Sequence, residues 1–207
     1  ESVDAIDIST GAFKKYFPGS GFHSEEASDL SFVHRILPLG NDTLLLGLES
    51  GLAYYTLHDH KAHLIHFEGE AQAINEHLPK CLMKNHNGIW VGVRGGIFRL
   101  DRKLKILETF THYSADAGKR LPGEWVNGFA ADKNGNLWIA FRDFNGTAKI
   151  DSADNVKAFP FQLDSFQSTL ASATYCILTD EQSNVWLGLQ YYGLVKFNPS
   201  TGQIKNF

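Results

Sequence analysis

The sequence predicts an all-β chain built of repeated four-stranded antiparallel sheets, and three observations predict it. An apolar stretch around a small residue occurs four times: Leu44-Leu45-Leu46-Gly47-Leu48, Ile89-Trp90-Val91-Gly92-Val93, Leu137-Trp138-Ile139-Ala140-Phe141 and Val185-Trp186-Leu187-Gly188-Leu189. Aligned on the small residue, the copies lie 45, 48 and 48 residues apart, near the roughly 40–50 residues of one propeller blade. Each stretch is apolar at consecutive positions, as expected of a sheet covered on both faces. The composition agrees. In 207 residues there are 19 Gly, only 6 Pro and 13% aromatics, which fits many short strands joined by glycine turns. The predicted architecture is therefore a β-propeller of four-stranded blades.

The remaining strands follow in order around that segment, here called strand B. Strand A precedes it, at Phe32 to Leu39, Lys80 to Lys84, Val126 to Ala131 and Tyr175 to Thr179. Strand C follows it, at Leu52 to Tyr55, Ile97 to Leu100, Ala148 to Ile150 and Leu194 to Phe197. Strand D ends on an aromatic: Phe67, Phe110, Phe159 and Phe207. The A–B connections are Gly40-Asn41-Asp42, Asn85-His86-Asn87-Gly88, Lys133-Asn134-Gly135-Asn136 and Glu181-Gln182-Ser183-Asn184. Asn-Gly supplies the positive φ values of a tight hairpin. Gly47, Gly92, Ala140 and Gly188 fit places where sheets approach closely. Trp90, Trp138 and Trp186 fill the space between blades, a structural role.

Whole blades are expected at residues 30–67, 78–110, 125–159 and 173–207. Val3-Asp4-Ala5-Ile6 resembles Leu194-Val195-Lys196-Phe197, and Gly11-Ala12-Phe13 matches Gly202-Gln203-Ile204. Residues 1–17 thus read as the outer half of a further blade, strands C and D without A and B. Propellers avoid open edges by closing the ring. The expectation is a segment of a larger ring of about seven blades, with a small closed ring holding one incomplete blade as the alternative. The chain starts at Glu1 with no leader, as a trimmed or processed piece would.

A net charge of −4 carries no basic stripe for nucleic acid and no acidic tract. No apolar run approaches the roughly 20 residues of a membrane helix, so no membrane contact is expected of this segment. With 43% hydrophobic residues the chain can bury a core.

Asp132-Lys133-Asn134-Gly135-Asn136-Leu137-Trp138-Ile139-Ala140 resembles the two-component regulator propeller repeat. Asp180-Glu181-Gln182-Ser183-Asn184-Val185-Trp186-Leu187-Gly188, followed by Gly193-Leu194-Val195-Lys196-Phe197-Asn198-Pro199, resembles it too. The copies depart from the pattern in places. The first blade has Leu45 for Trp and lacks the strand A Asp, the second has Lys84 at the Asp position, and the third has Ala140 for Gly and a longer turn before Gly146. The resemblance implies an extracytoplasmic, periplasmic or extracellular, ligand-sensing region of a bacterial signalling receptor, possessing no catalytic activity itself. It also implies as partners a small-molecule or oligosaccharide ligand, the remaining blades and downstream output domains such as a histidine kinase. A protein-interaction scaffold and a propeller lyase or hydrolase are the alternatives.

In such a fold the D–A and B–C connections open at one end. The D–A connections are long: Pro18 to Asp29, Glu68 to His77, Thr111 to Glu124 and Pro160 to Ser172. Long connections on a rigid scaffold are where function tends to reside. The B–C turns offer Glu49 and Ser50, Arg94, Arg142-Asp143-Phe144-Asn145 and Gln190-Tyr191-Tyr192, and Trp125 ends a D–A loop. Forked guanidinium groups beside planar aromatics suit a polar ring or an anionic sugar. Arg94, Trp125, Arg142, Phe144, Tyr191 and Tyr192 are the ligand-binding candidates, against the plainer reading that they tie blades together or face solvent.

Other chemistry is weaker. His58, His60, His63 and His66 cluster, but His63 and His66 point opposite ways on a strand and no third ligand stands near. Asp132 to Asn136 lacks the distal bidentate Glu of a calcium loop. No metal and no cofactor are expected. Cys81 and Cys176 lie in A strands two blades apart, too far for a disulfide, and read as small buried thiols. No catalytic fingerprint appears. His112 and Glu124 lie on long loops and could in principle act as acid and base. Asn41-Asp42-Thr43 and Asn145-Gly146-Thr147 match glycosylation acceptors and read as turns.

Overall fold

Each repeat folds as an antiparallel four-stranded sheet with its strands in chain order. The structure is a computed structural model and describes residues 4–15, 32–144, 146–161, 173–191 and 193–207. The D–A connections Pro18 to Asp29 and all but the first two residues of Pro160 to Ser172 lie outside them, as do Asn145 and Tyr192. The fold is that of a β-propeller, and the chain divides into two compact units, Glu1–Pro79 and Lys80–Phe207.

In the first unit, β1 (Asp4–Ile6) pairs with β2 (Phe13–Lys15) as a two-stranded sheet. The first blade is β3 (Val33–Pro38), β4 (Thr43–Leu48), β5 (Gly51–Thr56) and β6 (Lys61–Ile65). Leu45, at the position of the other blades' Trp, is fully buried. A short helix, α1 (Ala73–Glu76), follows. Its Ile74 carbonyl lies where a Cβ on Gly51 would meet it at 3.0 Å, and Gly51 has φ +116°, so only glycine fits there.

The second unit holds three blades. They are β7 (Cys81–Asn85), β8 (Gly88–Val93), β9 (Gly96–Leu100) and β10 (Ile106–Thr111); β11 (Val126–Ala131), β12 (Leu137–Phe141), β13 (Gly146–Ile150) and β14 (Val156–Pro160); and β15 (Thr174–Thr179), β16 (Val185–Leu189), β17 (Gly193–Phe197) and β18 (Ile204–Asn206). Strand B is buried along its whole length in β8 and β12 apart from Gly88. One apolar cluster joins Trp90, Ile97 and Phe110 of the second blade to Val126, Leu137, Ile139 and Phe141 of the third. Another joins Trp138 to Val185, Leu187, Val195 and Phe197 of the fourth. Trp90 and Trp138 fill the seams between neighbouring sheets; Trp186 is half-buried and stacks on Phe207 of its own blade.

The conserved-looking turn chemistry of the repeat has a definite task. Asp132 accepts backbone N–H bonds from Asn134 and Asn136 through Oδ1, while its Oδ2 accepts the Trp138 indole N–H at 2.9 Å. Asp180 does the same for Gln182, Asn184 and Trp186, again at 2.9 Å to the indole. The turns need one residue at positive φ, supplied by Gly135 at +79° and by Ser183 at +61°. The carboxylate thus fixes both the hairpin and the ring that seals the seam. In the second blade the sequence alignment placed Lys84 at this position, and the structure corrects it. That hairpin is shorter, with Asn85 opposite Gly88, and Asn85 Oδ1 accepts the Trp90 indole N–H at 3.1 Å.

A second correction concerns the thiols. Cys81 is buried beneath Phe129 and Val126 of the next sheet, but Cys176 is exposed. It lies on β15, where Tyr175 and Leu178 are also exposed.

Candidate functional site

Strands of alternating direction bring the B–C turns and D–A loops of one sheet to the same end. There Trp125 is clamped by backbone bonds from two blades. Gly95 N–H, in the B–C turn of the second blade, donates to the Glu124 carbonyl at 2.9 Å, and Arg142 N–H, in that of the third, donates to the Trp125 carbonyl at 2.9 Å. Asp143 adds a side-chain clip: Oδ2 accepts the Glu124 N–H at 2.8 Å and Oδ1 the Trp125 N–H at 3.0 Å. Gly123 must stay small, because its Cβ would meet Asp143 Oδ1 at 2.7 Å and Phe141 at 2.9 Å.

Two cations converge on this half-buried indole. The Arg94 guanidinium lies 4.5 Å and that of Arg142 5.1 Å from the ring centroid, both in cation–π range. Glu124 places Oε1 3.4 Å from Arg94 Nε. The result is an exposed cluster of two guanidinium groups, one indole and two carboxylates, drawn from two blades and the loop between them.

The loop that leads into it is anchored. Lys119 Nζ meets Glu108 Oε2 at 2.8 Å and lies over the Phe110 ring. The hydrogen bond from Lys119, working against burial, holds the Glu108 carboxyl below its usual range. His112 Nδ1 lies 3.0 Å from the Leu121 carbonyl. His112 and Glu124, the pair an acid–base mechanism would use, are therefore each engaged with a separate partner.

Of the six sequence-nominated residues, Arg94, Trp125 and Arg142 come together. Phe144 instead packs edge-on against Phe141, 5.9 Å between centroids, and borders the second–third blade core. Tyr191 is exposed, with its hydroxyl 3.1 Å from the Gln190 amide. Tyr192 lies outside the described residues. Glu124, singled out only as an acid–base partner for His112, and Asp143, named only within its B–C turn, were not among the six ligand-binding candidates. Their signal was adjacency, since each directly neighbours a nominated residue in sequence.

The histidines of the first blade are used within it: His58 Nδ1 bonds Asp42, His60 Nδ1 bonds the Tyr55 hydroxyl at 3.0 Å, and His63 stacks on Tyr54 at 4.8 Å. Two pockets of about 210 Å³ lie toward the A–B and C–D turns, one lined by Lys84, His86, Arg102 and Leu107, the other by Asn184, Lys196, Asn198 and Lys205.

Residues 120–143, which include Trp125, Arg142 and the Asp132–Trp138 pair, match the family described as two component regulator propeller. Over this stretch the chain is similar to the two-component regulator propeller repeat. Comparison with curated proteins finds no match. Among solved structures, this chain is similar to the protein described as the extracellular domain of a hybrid two-component system from B. thetaiotaomicron, with 17% identity, a TM-score of 0.69, and coverage of 94% of this chain and 24% of that one. A second such extracellular domain from B. thetaiotaomicron gives 20% identity and a TM-score of 0.63, covering 93% of this chain and 23% of the other. Virginiamycin B lyase from Staphylococcus aureus gives 14% identity and a TM-score of 0.69, covering all of this chain and 62% of the lyase. At these identities the likeness establishes the propeller fold. The chain spans about a quarter of the length of the two extracellular domains.

Proposed function

We propose that this chain is part of the ligand-sensing propeller of a bacterial two-component-type receptor. It stands outside the cytoplasm, in the periplasm or beyond it, and performs no catalysis itself. A small polar ligand, an oligosaccharide being the leading class, is held at the loop-rich end of the Lys80–Phe207 unit. The repeat family and the fold shared with extracellular sensor domains support the receptor role. The observation that carries the site is the meeting of Arg94 and Arg142, from two separate blades, on one half-buried indole at Trp125. Rigid sheets hold the three groups, so little ordering is needed on binding. Binding signals only where affinity differs between two states of the receptor, and a cluster spanning a seam between blades is sensitive to how they sit.

The test is a glycan array followed by calorimetry on the best ligand. Arg94→Ala and Arg142→Ala should each weaken binding while the unfolding midpoint stays within a few degrees of the parent. Unchanged affinity in both variants would remove this cluster from the site.

A further inference from the structure

We infer that the cluster around Trp125 takes a ligand bearing a single carboxylate, and that Glu124 sets this charge limit. The inference rests on the loop-rich end being the ligand site.

Arg94 and Arg142 approach the same ring, so their guanidinium carbons are no farther apart than their two centroid distances combined. Like charges gathered so closely repel, and an anion beside them relieves that repulsion. The protein supplies part of it. Glu124 lies 3.4 Å from Arg94. Asp143 is the other nearby carboxylate, but both of its oxygens already accept backbone N–H groups, from Glu124 and Trp125. Among the described residues, no carboxylate lies within 4 Å of the Arg142 guanidinium, which is exposed.

Arg142 therefore keeps its planar fork of donors for a ligand oxygen pair, the geometry that a carboxylate matches. The half-exposed indole beside it offers apolar surface to the ring that bears the carboxylate. The four charged groups together carry no net charge. One ligand charge at Arg142 is answered locally, whereas a second would face Glu124 and Asp143. A sulfate or phosphate dianion is disfavoured for that reason.

The indole N–H resonance of Trp125, identified by its loss in Trp125→Phe, reports on the site. The 1–207 protein is titrated at constant ionic strength with glucuronate, glucose and sulfate. Glucuronate should shift the resonance saturably, and glucose and sulfate should bind about tenfold more weakly or worse. Glu124→Gln should raise sulfate affinity by about tenfold and glucuronate affinity by less. Glucose shifting the resonance as strongly as glucuronate would overturn the charge inference and leave the site in place. A glucuronate response confined to other resonances would overturn both the inference and the loop-rich end as the site. No response to glucuronate anywhere would overturn the inference alone. Sulfate affinity unaltered by Glu124→Gln would remove Glu124 as the limiting charge.

Discussion

The Arg99 guanidinium grips the Asp154 carboxylate through two parallel hydrogen bonds, 2.8 and 2.7 Å long, joining strand β9 of the second blade to the C–D turn of the third. Both side chains are mostly buried, at 16% and 20% exposure. Asp154 sits at φ +62°, a conformation that Asp and Asn tolerate better than most residues. Asp154→Asn should therefore keep the turn while breaking the charge pair. We expect a loss of about 1–3 kcal/mol in urea unfolding. In a double-mutant cycle with Arg99→Met, coupling should be at least about 1 kcal/mol. Additive costs would show that the bridge contributes nothing to the seam.

Asp180 and Asp132 make stability depend on acid. At Asp180, burial acts to raise the pKa, but hydrogen bonds from the Trp186 indole, the Asn184 side chain and the Asn184 backbone outweigh it, with Lys196 adding attraction; the carboxyl is held at about 2 against 3.8. Asp132 is lowered in the same way, burial being outweighed by Asn136 and Trp138. A pKa depressed on folding contributes stability that is complete above the unfolded value and is lost as pH falls through the folded one. Thermal unfolding should accordingly be insensitive to these groups at pH 6 and weaken from about pH 4 toward pH 2. Asp180→Asn should be less stable than the parent at pH 6 and show a shallower decline below pH 4. Parallel pH curves would contradict the assignment.

The repeat was legible because its physics is local. Strand B is apolar on both faces, and its copies recur at blade spacing, so Trp90 and Trp138 declared the seams directly, while the half-buried Trp186 stacks on Phe207 of its own blade. The Asp-to-Trp hydrogen bond was only half legible, because a one-residue change in hairpin length moves the acceptor from the aligned Lys84 to Asn85. Each of these tryptophans also faces a cation on strand C, Arg99, Lys149 or Lys196, at 5.4, 5.9 and 5.0 Å. Cross-strand register creates those pairs, and register depends on turn length rather than on residue type. The site shows the same division. Arg94, Trp125 and Arg142 stood out as unusual residues on turns, but that Phe144 would turn inward onto Phe141 depended on the bend after β12, which sequence pattern does not encode.

Gly92 and Gly188 occupy equivalent places in strand B and should respond differently to Ala. A Cβ on Gly92 would lie 2.5 Å from Cys81 Sγ and 2.8 Å from both Phe129 and Val126 on the neighbouring blade. Two sheets would have to separate, an overpacking cost of about 1–3 kcal/mol. Among the described residues, a Cβ on Gly188 would meet Cys176 Sγ alone, and Cys176 is exposed and has room to turn away. Gly92→Ala should lower the unfolding midpoint clearly more than Gly188→Ala. Equal effects would mean that the strain lies within each sheet rather than between blades.

Asp143 should hold Trp125 in place without touching the ring. Its two oxygens accept the N–H groups of Glu124 and Trp125, the residues through which the D–A loop enters β11. Removing the carboxylate leaves those two donors to water, which the loop can accommodate because Asp143 is exposed. Asp143→Ala should thus cost little global stability, about 1 kcal/mol or less. Amide exchange at Glu124 and Trp125 should speed up by about tenfold while exchange in β11 and β12 stays unchanged. Asp143→Asn keeps one acceptor oxygen and should fall between the two. If exchange at Trp125 is unaffected by Asp143→Ala, the backbone bonds from Gly95 and Arg142 suffice to fix the indole, and the pairing of Arg94 with Arg142 across it is a property of the sheets alone.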